Sequence, residues 1–210
     1  MLTVKNFTLC LKKQTLLHNV DFSVAPGEVL TLMGPSGSGK STLFAWMVGA
    51  LAENFRASGE LWLDNQRGDN LPTERRRIGI LFQDALLFDH FSVGQNLLLA
   101  LPAQIKGTQR KVQVEQALER AGLPGFYTRD PATLSGGQRA RVSLLRALLA
   151  QPRALLLDEP FNRLDVDLRA DFRQWVFSEL TRQAIPAVLV THDNQDKPAG
   201  GRCLHMSLWH

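Results

Sequence analysis

The chain has 210 residues, 44% of them hydrophobic, with 24 Lys and Arg against 20 Asp and Glu for a formal net charge of +4. That length suits one domain with a proper core, and the positive charge is too thinly spread for a nucleic-acid-binding tract, Arg75-Arg76-Arg77 being the longest basic run. Cys10 and Cys203 stand alone, as reduced cytosolic thiols do; Met1-Leu2-Thr3-Val4-Lys5 carries no secretory signal, and Asn96-Leu97-Leu98-Leu99-Ala100-Leu101 stops at Pro102, too short to cross a bilayer.

Residues 1–24 alternate like strands of an antiparallel sheet, which Leu61-Trp62-Leu63 is expected to join. Val29-Leu30-Thr31-Leu32-Met33 reads as a buried strand. It feeds Gly34-Pro35-Ser36-Gly37-Ser38-Gly39-Lys40-Ser41, which fits G-x-x-x-x-G-K-[ST], and Thr42 opens a helix over 42–47. The residue types follow from the chemistry of a phosphate loop. Glycines let several N–H groups converge on one anion, and the helix N-terminus adds partial positive charge. Lys40 can reach the β- and γ-phosphates, and the Ser41 hydroxyl can ligate Mg²⁺.

Residues 78–82 form a second central strand, ending at Gln83. From residue 84 to about 150 the pattern is helical. One helix covers 111–120, with Val112, Val114, Ala117, Leu118 and Ala121 in register and Gly122 closing it. Leu134-Ser135-Gly136-Gly137-Gln138 opens another over 139–150, with Val142, Leu145 and Leu149 at helical spacing. Ser135 is a good N-cap, and the paired glycines leave the N–H groups uncovered, which makes a second anion site. A nucleotide seated on Lys40 has no obvious need of it within one chain, so either a second ligand or a nucleotide shared between two chains is implied. Ala154-Leu155-Leu156-Leu157-Asp158-Glu159-Pro160 reads as a central parallel strand ending in two acids. Ligands collect at the carboxyl ends of such strands. Asp158 can there hold Mg²⁺ through water, and Glu159 can orient or deprotonate an attacking water. Residues 187–191 are the last central strand, followed by His192, then Gly200-Gly201 and a final strand over 203–208.

Each signal has a plain structural reading when taken singly: a Gly/Ser turn, a surface Asp-Glu pair, a capped helix, a structural histidine. In the order P-loop, Gln83, Leu134-Ser135-Gly136-Gly137-Gln138, Asp158-Glu159, Asp165, His192, the chain resembles the nucleotide-binding subunit of an ABC transporter over nearly its whole length. The resemblance implies an α/β fold with a P-loop NTPase core. Its parts would be a mostly parallel central sheet, an N-terminal antiparallel β part and an inserted helical subdomain at about 84–150, all in a single ATP-binding domain, 1–210. It also implies roles. Gly34 to Thr42 would hold ATP, with Lys40 on phosphate and Ser41, Gln83 and Asp158 on Mg²⁺. Glu159 would be the general base and His192 the switch histidine on the γ-phosphate, while Gln83 would sense a transmembrane partner. Ser135, Gly136, Gly137 and Gln138 would meet ATP held by the opposite subunit, and Asp165 would lie in the D-loop across the dimer.

Three positions depart from the family pattern: Leu11 stands where an aromatic stacks on adenine, Asn162 replaces the D-loop serine, and Asp89 replaces an importer proline. The stretch Phe82-Gln83-Asp84-Ala85-Leu86-Leu87-Phe88-Asp89-His90-Phe91-Ser92-Val93 is similar to the pattern of importers of small solutes and ions. The short thiamine-type importer ATPases are the nearest look-alikes. Apolar Leu86, Leu87, Phe88 and Phe91 are candidates for a groove that takes a permease helix. The partners implied are a second ATP-binding subunit, transmembrane permease subunits and an extracytoplasmic solute-binding protein, with no nucleic acid. The chain would sit peripherally on the cytoplasmic face of the inner membrane, with no room for the regulatory domain some importer ATPases carry. An exporter ATPase is the alternative, then a soluble ABC ATPase acting on nucleic acid or ribosomes.

Overall fold

The structure is a computed structural model that describes Met1–His210, apart from the side chain of Asp167. Two compact units appear: Met1–Ile80 with Arg153–Glu159 and Phe177–His210, and Leu81–Pro152 with Pro160–Val176.

The first unit opens with β1 (Leu2–Leu11) and β2 (Gln14–Val24), an antiparallel pair. The inward set runs Leu2, Val4, then Phe7 and Leu9, all buried. Strict alternation would place Phe7 outside, because one residue of slip exchanges the two faces. Asn6 absorbs the extra residue with φ 50, and both neighbouring registers shift between Val4 or Lys5 and Phe7 or Thr8. This is a β-bulge, and it resets the phase so that both halves of β1 face the core. Opposite it, a Cβ on Gly59 would lie 2.7 Å from the Phe7 Cα, so only glycine fits there.

Next come β3 (Val29–Met33), α1 (Lys40–Val48), β4 (Phe55–Leu63), the two-residue β5 (Gln66–Arg67), the short α2 (Thr73–Arg76) and β6 (Ile78–Phe82). After the second unit's insertion follow β7 (Ala154–Asp158), β8 (Ala187–Thr191) and β9 (Cys203–His205). One sheet has the order β2-β1-β4-β5, and the other β6-β7-β8-β3-β9. The pairs β3/β8, β3/β9 and β7/β8 are parallel. Every residue of β3 and β8 is buried, which is why both read as unbroken apolar runs rather than alternations. Leu43, Phe44, Trp46 and Met47 of α1 share one core with residues of both sheets, and the Trp46 ring lies 4.3 Å from that of Phe7.

The final strand is shorter than the expected 203–208. It ends at His205, and Met206–Trp209 is a 3₁₀ turn. Met206 and Trp209 are three residues apart and both buried, so the 3₁₀ repeat, which eclipses such positions, sends both into the core.

The second unit holds α3 (Val93–Leu98), α4 (Thr108–Arg120), α5 (Gly136–Leu149) and the first part of α6 (Val166–Arg182), which ends in the first unit. Val93, Leu97, Val114, Leu118, Leu123, Leu134, Val142 and Leu145 make its core. Val112, expected on the apolar face of α4, is 47% exposed; Val114, Ala117, Leu118 and Ala121 are the buried set. The expected helix starts fall late. Helix α5 begins at Gly136 rather than 139, and α4 at Thr108 rather than 111, since a cap two or three residues ahead of the periodic stretch sets the boundary. Helix α6 has Phe172, Val176 and Leu180 buried at a spacing of four, and the Phe172 ring meets Phe161 at 5.9 Å.

Candidate active site

In the first unit, the loop between β3 and α1 is shaped by close approach. A Cβ on Gly34 would come 2.9 Å from both the Met206 side chain and the Ser38 Oγ. Gly39 takes φ 85 to turn the chain into α1, and no side chain caps that helix. Pro35, Ser36 and Gly37 are exposed, Ser38 is buried and Thr42 half-buried. Lys40 is 6% exposed. Its Nζ donates to the carbonyls of Gly34 and Pro35, both at 2.7 Å, and to the Ser38 Oγ at 3.4 Å.

Burial lowers the pKa of Lys40, with the charges of Glu159 and Asp158 opposing that shift. Burial likewise pushes Asp158 up, and the neighbouring Glu159 adds to the rise. The nearby Ser41 hydroxyl and the Lys40 charge pull it back. The site thus gathers two carboxyls around one ammonium, an excess of negative charge that a further cation would relieve.

Glu159 follows the end of β7 with φ 48. This left-handed conformation is uncommon outside glycine. Its N–H donates to the Val190 carbonyl at 3.0 Å, and its Oε1 lies 3.4 Å from the His192 Nδ1. The turn breaks the strand alternation and directs the Glu159 carboxyl toward the end of β8, where His192 stands 63% exposed. Lys40, Ser41, Asp158, Glu159 and His192 are therefore linked by direct contact or charge within one unit.

Leu11 is half-buried at the end of β1, opposite Gln14 and Phe55. Leu17, further along β2, comes against the phosphate loop, where a Cβ on Gly39 would lie 3.1 Å from its Cδ1.

Among the described residues no group of three or more His, Cys, Asp and Glu side chains clusters as metal ligands. What the first unit offers is a hydroxyl near a carboxyl, Ser41 and Asp158. Hard oxygens few in number suit Mg²⁺, which is held by one or two protein groups with phosphate and water completing the shell. The donor set fits that ion.

The second unit carries Gln83, Ser135, Gly136, Gly137, Gln138 and Asp165. Gln83 and Asp165 are exposed. Gln83 lines a cavity of about 210 Å³ with Asp84, Gly136, Arg139, Arg163 and Leu164, and Asp84 pairs with Arg163. Ser135 caps α5 by accepting the Gln138 N–H at 3.3 Å, and the Gln138 side chain accepts the Ser135 N–H at 3.0 Å. Gly136 is exposed and Gly137 buried.

Two features escaped the sequence reading. Arg76, read as part of a basic run, is 8% exposed. It donates to the carbonyls of Trp46 at 2.7 Å and Met47 at 3.0 Å, closing the C-terminal end of α1. Asp196 and Thr191 form a buried hydrogen bond beside His192. An arginine or aspartate buried among carbonyls and hydroxyls looks like any surface charge in a sequence, so no local pattern announces either.

Residues 17–162 match the profile of a family described as ABC transporter. The chain is 68% identical over 209 residues to the uncharacterized ABC transporter ATP-binding protein YnjD of Escherichia coli (strain K12), covering 100% of this chain and 96% of that protein. It is 38% identical over 201 residues to the Fe(3+) ions import ATP-binding protein FbpC of Haemophilus influenzae (strain 86-028NP), covering 93% of this chain but 56% of FbpC. The chain thus spans about half the length of that importer relative. Its fold is similar to that of the ATP-binding cassette MJ0796, solved as a dimer in a post-hydrolysis state bound to ADP and Pi. The TM-score is 0.75 at 29% identity, over 93% of this chain and 90% of that one.

Proposed function

The chain belongs to the ABC transporter family of ATP-binding subunits, and from that premise we propose that it is a Mg²⁺-dependent ATPase powering uptake of a small solute through separate permease subunits. The observation that carries the reading is the buried Lys40 folded onto the Gly34 and Pro35 carbonyls of its loop, in the same unit as a Glu159 whose carboxyl faces His192. The loop from Gly34 to Thr42 would wrap the phosphates with its N–H groups. Lys40, now folded onto two loop carbonyls, would exchange them for phosphate oxygens, which hold its charge better than neutral acceptors do. Mg²⁺ would supply charge neutralisation on the phosphates, and Ser41, Asp158 and Gln83 would hold it.

Glu159 would take the proton of the attacking water as its oxygen bonds to the γ-phosphorus and the bond from that phosphorus to the bridging oxygen of the β-phosphate breaks. ADP would leave with the bridging oxygen, and inorganic phosphate would be released with no phosphorylated protein intermediate. His192 would donate to the γ-phosphate and, through the 3.4 Å contact, keep the Glu159 carboxyl in place. Ser135, Gly136, Gly137 and Gln138, with Asp165, would complete the site of a second copy, so hydrolysis would need a homodimer. The exposed Leu86 and Phe88 beside Gln83 suit a permease contact. With such a partner the chain would lie on the cytoplasmic face of the inner membrane, served from outside by a solute-binding protein. Among the described residues no helix is long and apolar enough to cross a membrane.

The test is phosphate release by the purified chain with Mg²⁺ and with the metal chelated, together with capture of its membrane partner. Hydrolysis unchanged by chelation would remove the metal from the reading. Capture of an exporter-type partner with no solute-binding companion would reverse the direction of transport.

A further inference from the structure

One buried acid in the first unit has no part in the chemistry above. Asp196 is 0% exposed. Its Oδ2 accepts the Thr191 hydroxyl proton at 2.7 Å. The same Thr191 Oγ1 accepts the Asp193 N–H at 3.0 Å. Asp193 in turn accepts the Gln195 N–H at 2.8 Å, capping the short 3₁₀ turn Asn194–Asp196, and the Asp196 N–H donates back to the Asp193 carbonyl at 3.2 Å.

The Thr191 hydroxyl therefore has its proton committed to Asp196 and a lone pair committed to residue 193. These two bonds tie the chain on either side of His192. Threonine ends β8, so one side of the tie is anchored in the central sheet. The His192 ring is itself mostly exposed, yet its Nδ1 stands 3.4 Å from Glu159. An exposed ring keeps such a distance only if the backbone beneath it is fixed. Burying a carboxyl is costly unless its hydrogen bonds are made, and a buried polar network that is satisfied specifies one geometry.

We propose that Asp196, acting through Thr191, is a positioning residue that holds the His192 ring against Glu159. Its effect on turnover rests on the reading of His192 and Glu159 given above; its effect on the ring does not.

The experiment compares Thr191→Val, which keeps the shape and removes the hydroxyl, with Thr191→Ser, which keeps the hydroxyl. The imidazole ¹⁵N resonances of His192 are recorded in the nucleotide-free protein at one pH, and kcat and KM for ATP are measured with Mg²⁺. Thr191→Val should move or broaden the His192 resonances while those of the other histidines stay in place, and Thr191→Ser should restore them. Turnover should fall about tenfold in Thr191→Val with KM nearly unchanged, as loss of orientation without loss of binding requires. In a His192→Ala background Thr191→Val should cost nothing further. Asp196→Ala reads the same resonances should Thr191→Val fail to fold.

His192 resonances unmoved in the folded variants would overturn the proposal, and so would an equal loss of kcat in the His192→Ala background. Resonances that move while kcat holds would leave the positioning intact and remove His192 from the chemistry.

Discussion

Helices α3 and α5 begin with the same device and use it differently. Ser92 caps α3 and Gln95 reaches back to it; Ser135 and Gln138 do the same for α5. At α3 the chain covers its own first turn. The N–H groups of Val93 and Gly94 donate to the carbonyls of Arg129 and Tyr127 at 2.9 and 2.8 Å, and a Cβ on Gly94 would strike the Tyr127 ring at 2.6 Å. At α5 the corresponding positions are less crowded: Gly136 is exposed and a Cβ there would meet only Leu164 at 4.0 Å, while one on the buried Gly137 would meet Leu168 at 3.6 Å, an ordinary contact. A Ser-x-x-Gln cap is thus no mark of an anion site by itself. What decides is whether the chain consumes the first amides of the helix. Helix α1 goes further still, with no side-chain cap and an ammonium at its mouth.

The sharpest break of this comparison lies at α1, where chemistry rather than capping is expected. Glu159→Gln should lower turnover about 10²–10⁴-fold, the usual worth of a general base. ATP binding should survive, leaving a trapped ATP-bound dimer, whereas Lys40→Ala should weaken binding itself. Phosphate release and nucleotide affinity on the same samples decide it, and normal hydrolysis by Glu159→Gln would end its role as base.

The closed end of α1 offers a contrast in stability. Arg76→Ala removes the donors to Trp46, Met47, Leu71 and Asp69 and leaves those carbonyls without them. A cost of about 1–3 kcal/mol is expected for the buried carbonyls left unsatisfied, or roughly 4–8 °C in Tm for a chain of this size. A melting curve within 2 °C or so of the parent would show that α1 needs no such clasp.

The two capped helices can then be set against each other. Ser92→Ala and Ser135→Ala should each cost about 1 kcal/mol of stability as lost N-caps, but Ser135→Arg should also abolish hydrolysis. Mixing inactive Lys40→Ala with inactive Ser135→Arg protomers should restore one intact composite site per heterodimer. Heterodimers that form and stay inactive would count against α5 serving its partner.

A smaller effect is tied to pH. Burial and Glu159 raise the Asp158 pKa in the fold above its ordinary value, so the folded state disfavours its charged form. That penalty is absent below the unfolded pKa, grows as pH rises through the folded pKa, and is complete above it. Asp158→Asn should therefore melt higher than the parent at neutral pH without nucleotide, with the gap closing in acid, although it should not hydrolyse ATP. A gap that widens in acid would contradict the sign.

The smallest change expected is at Leu11. Leucine lacks the π-face of an aromatic, a contact worth about 1–3 kcal/mol on a nucleobase. Leu11→Tyr should tighten ATP by up to that amount and leave inorganic triphosphate unchanged, and titration of both ligands checks it. Equal ATP affinity in the two proteins would mean that Leu11 does not face adenine.

Much of this site is legible in the sequence because its parts are local. The phosphate loop, the Ser135 turn and the Asp158-Glu159 pair are each contiguous, and the runs feeding them are apolar because β3 and β7 are covered on both faces. What a sequence conceals is a partner far away. Arg76 reaches back thirty residues to the end of α1. The phase reset at Asn6 depends on Gly59 of another strand. Helix α6 could have been read from Phe172, Val176 and Leu180, but its opening turn carries charges on the apolar side's flanks and dilutes the pattern.

The contact of Met206 with Gly34 bears on the order in which this protein is made. The phosphate loop leaves the ribosome well before two of its supports: β9 pairs with β3, and Met206 packs where any side chain on Gly34 would go. A nascent chain that has not reached residue 206 has every glycine of the loop and the lysine, yet not the wall that shapes them. Domains fold as units during synthesis, and in this one the loop is finished only once residue 206 has been made.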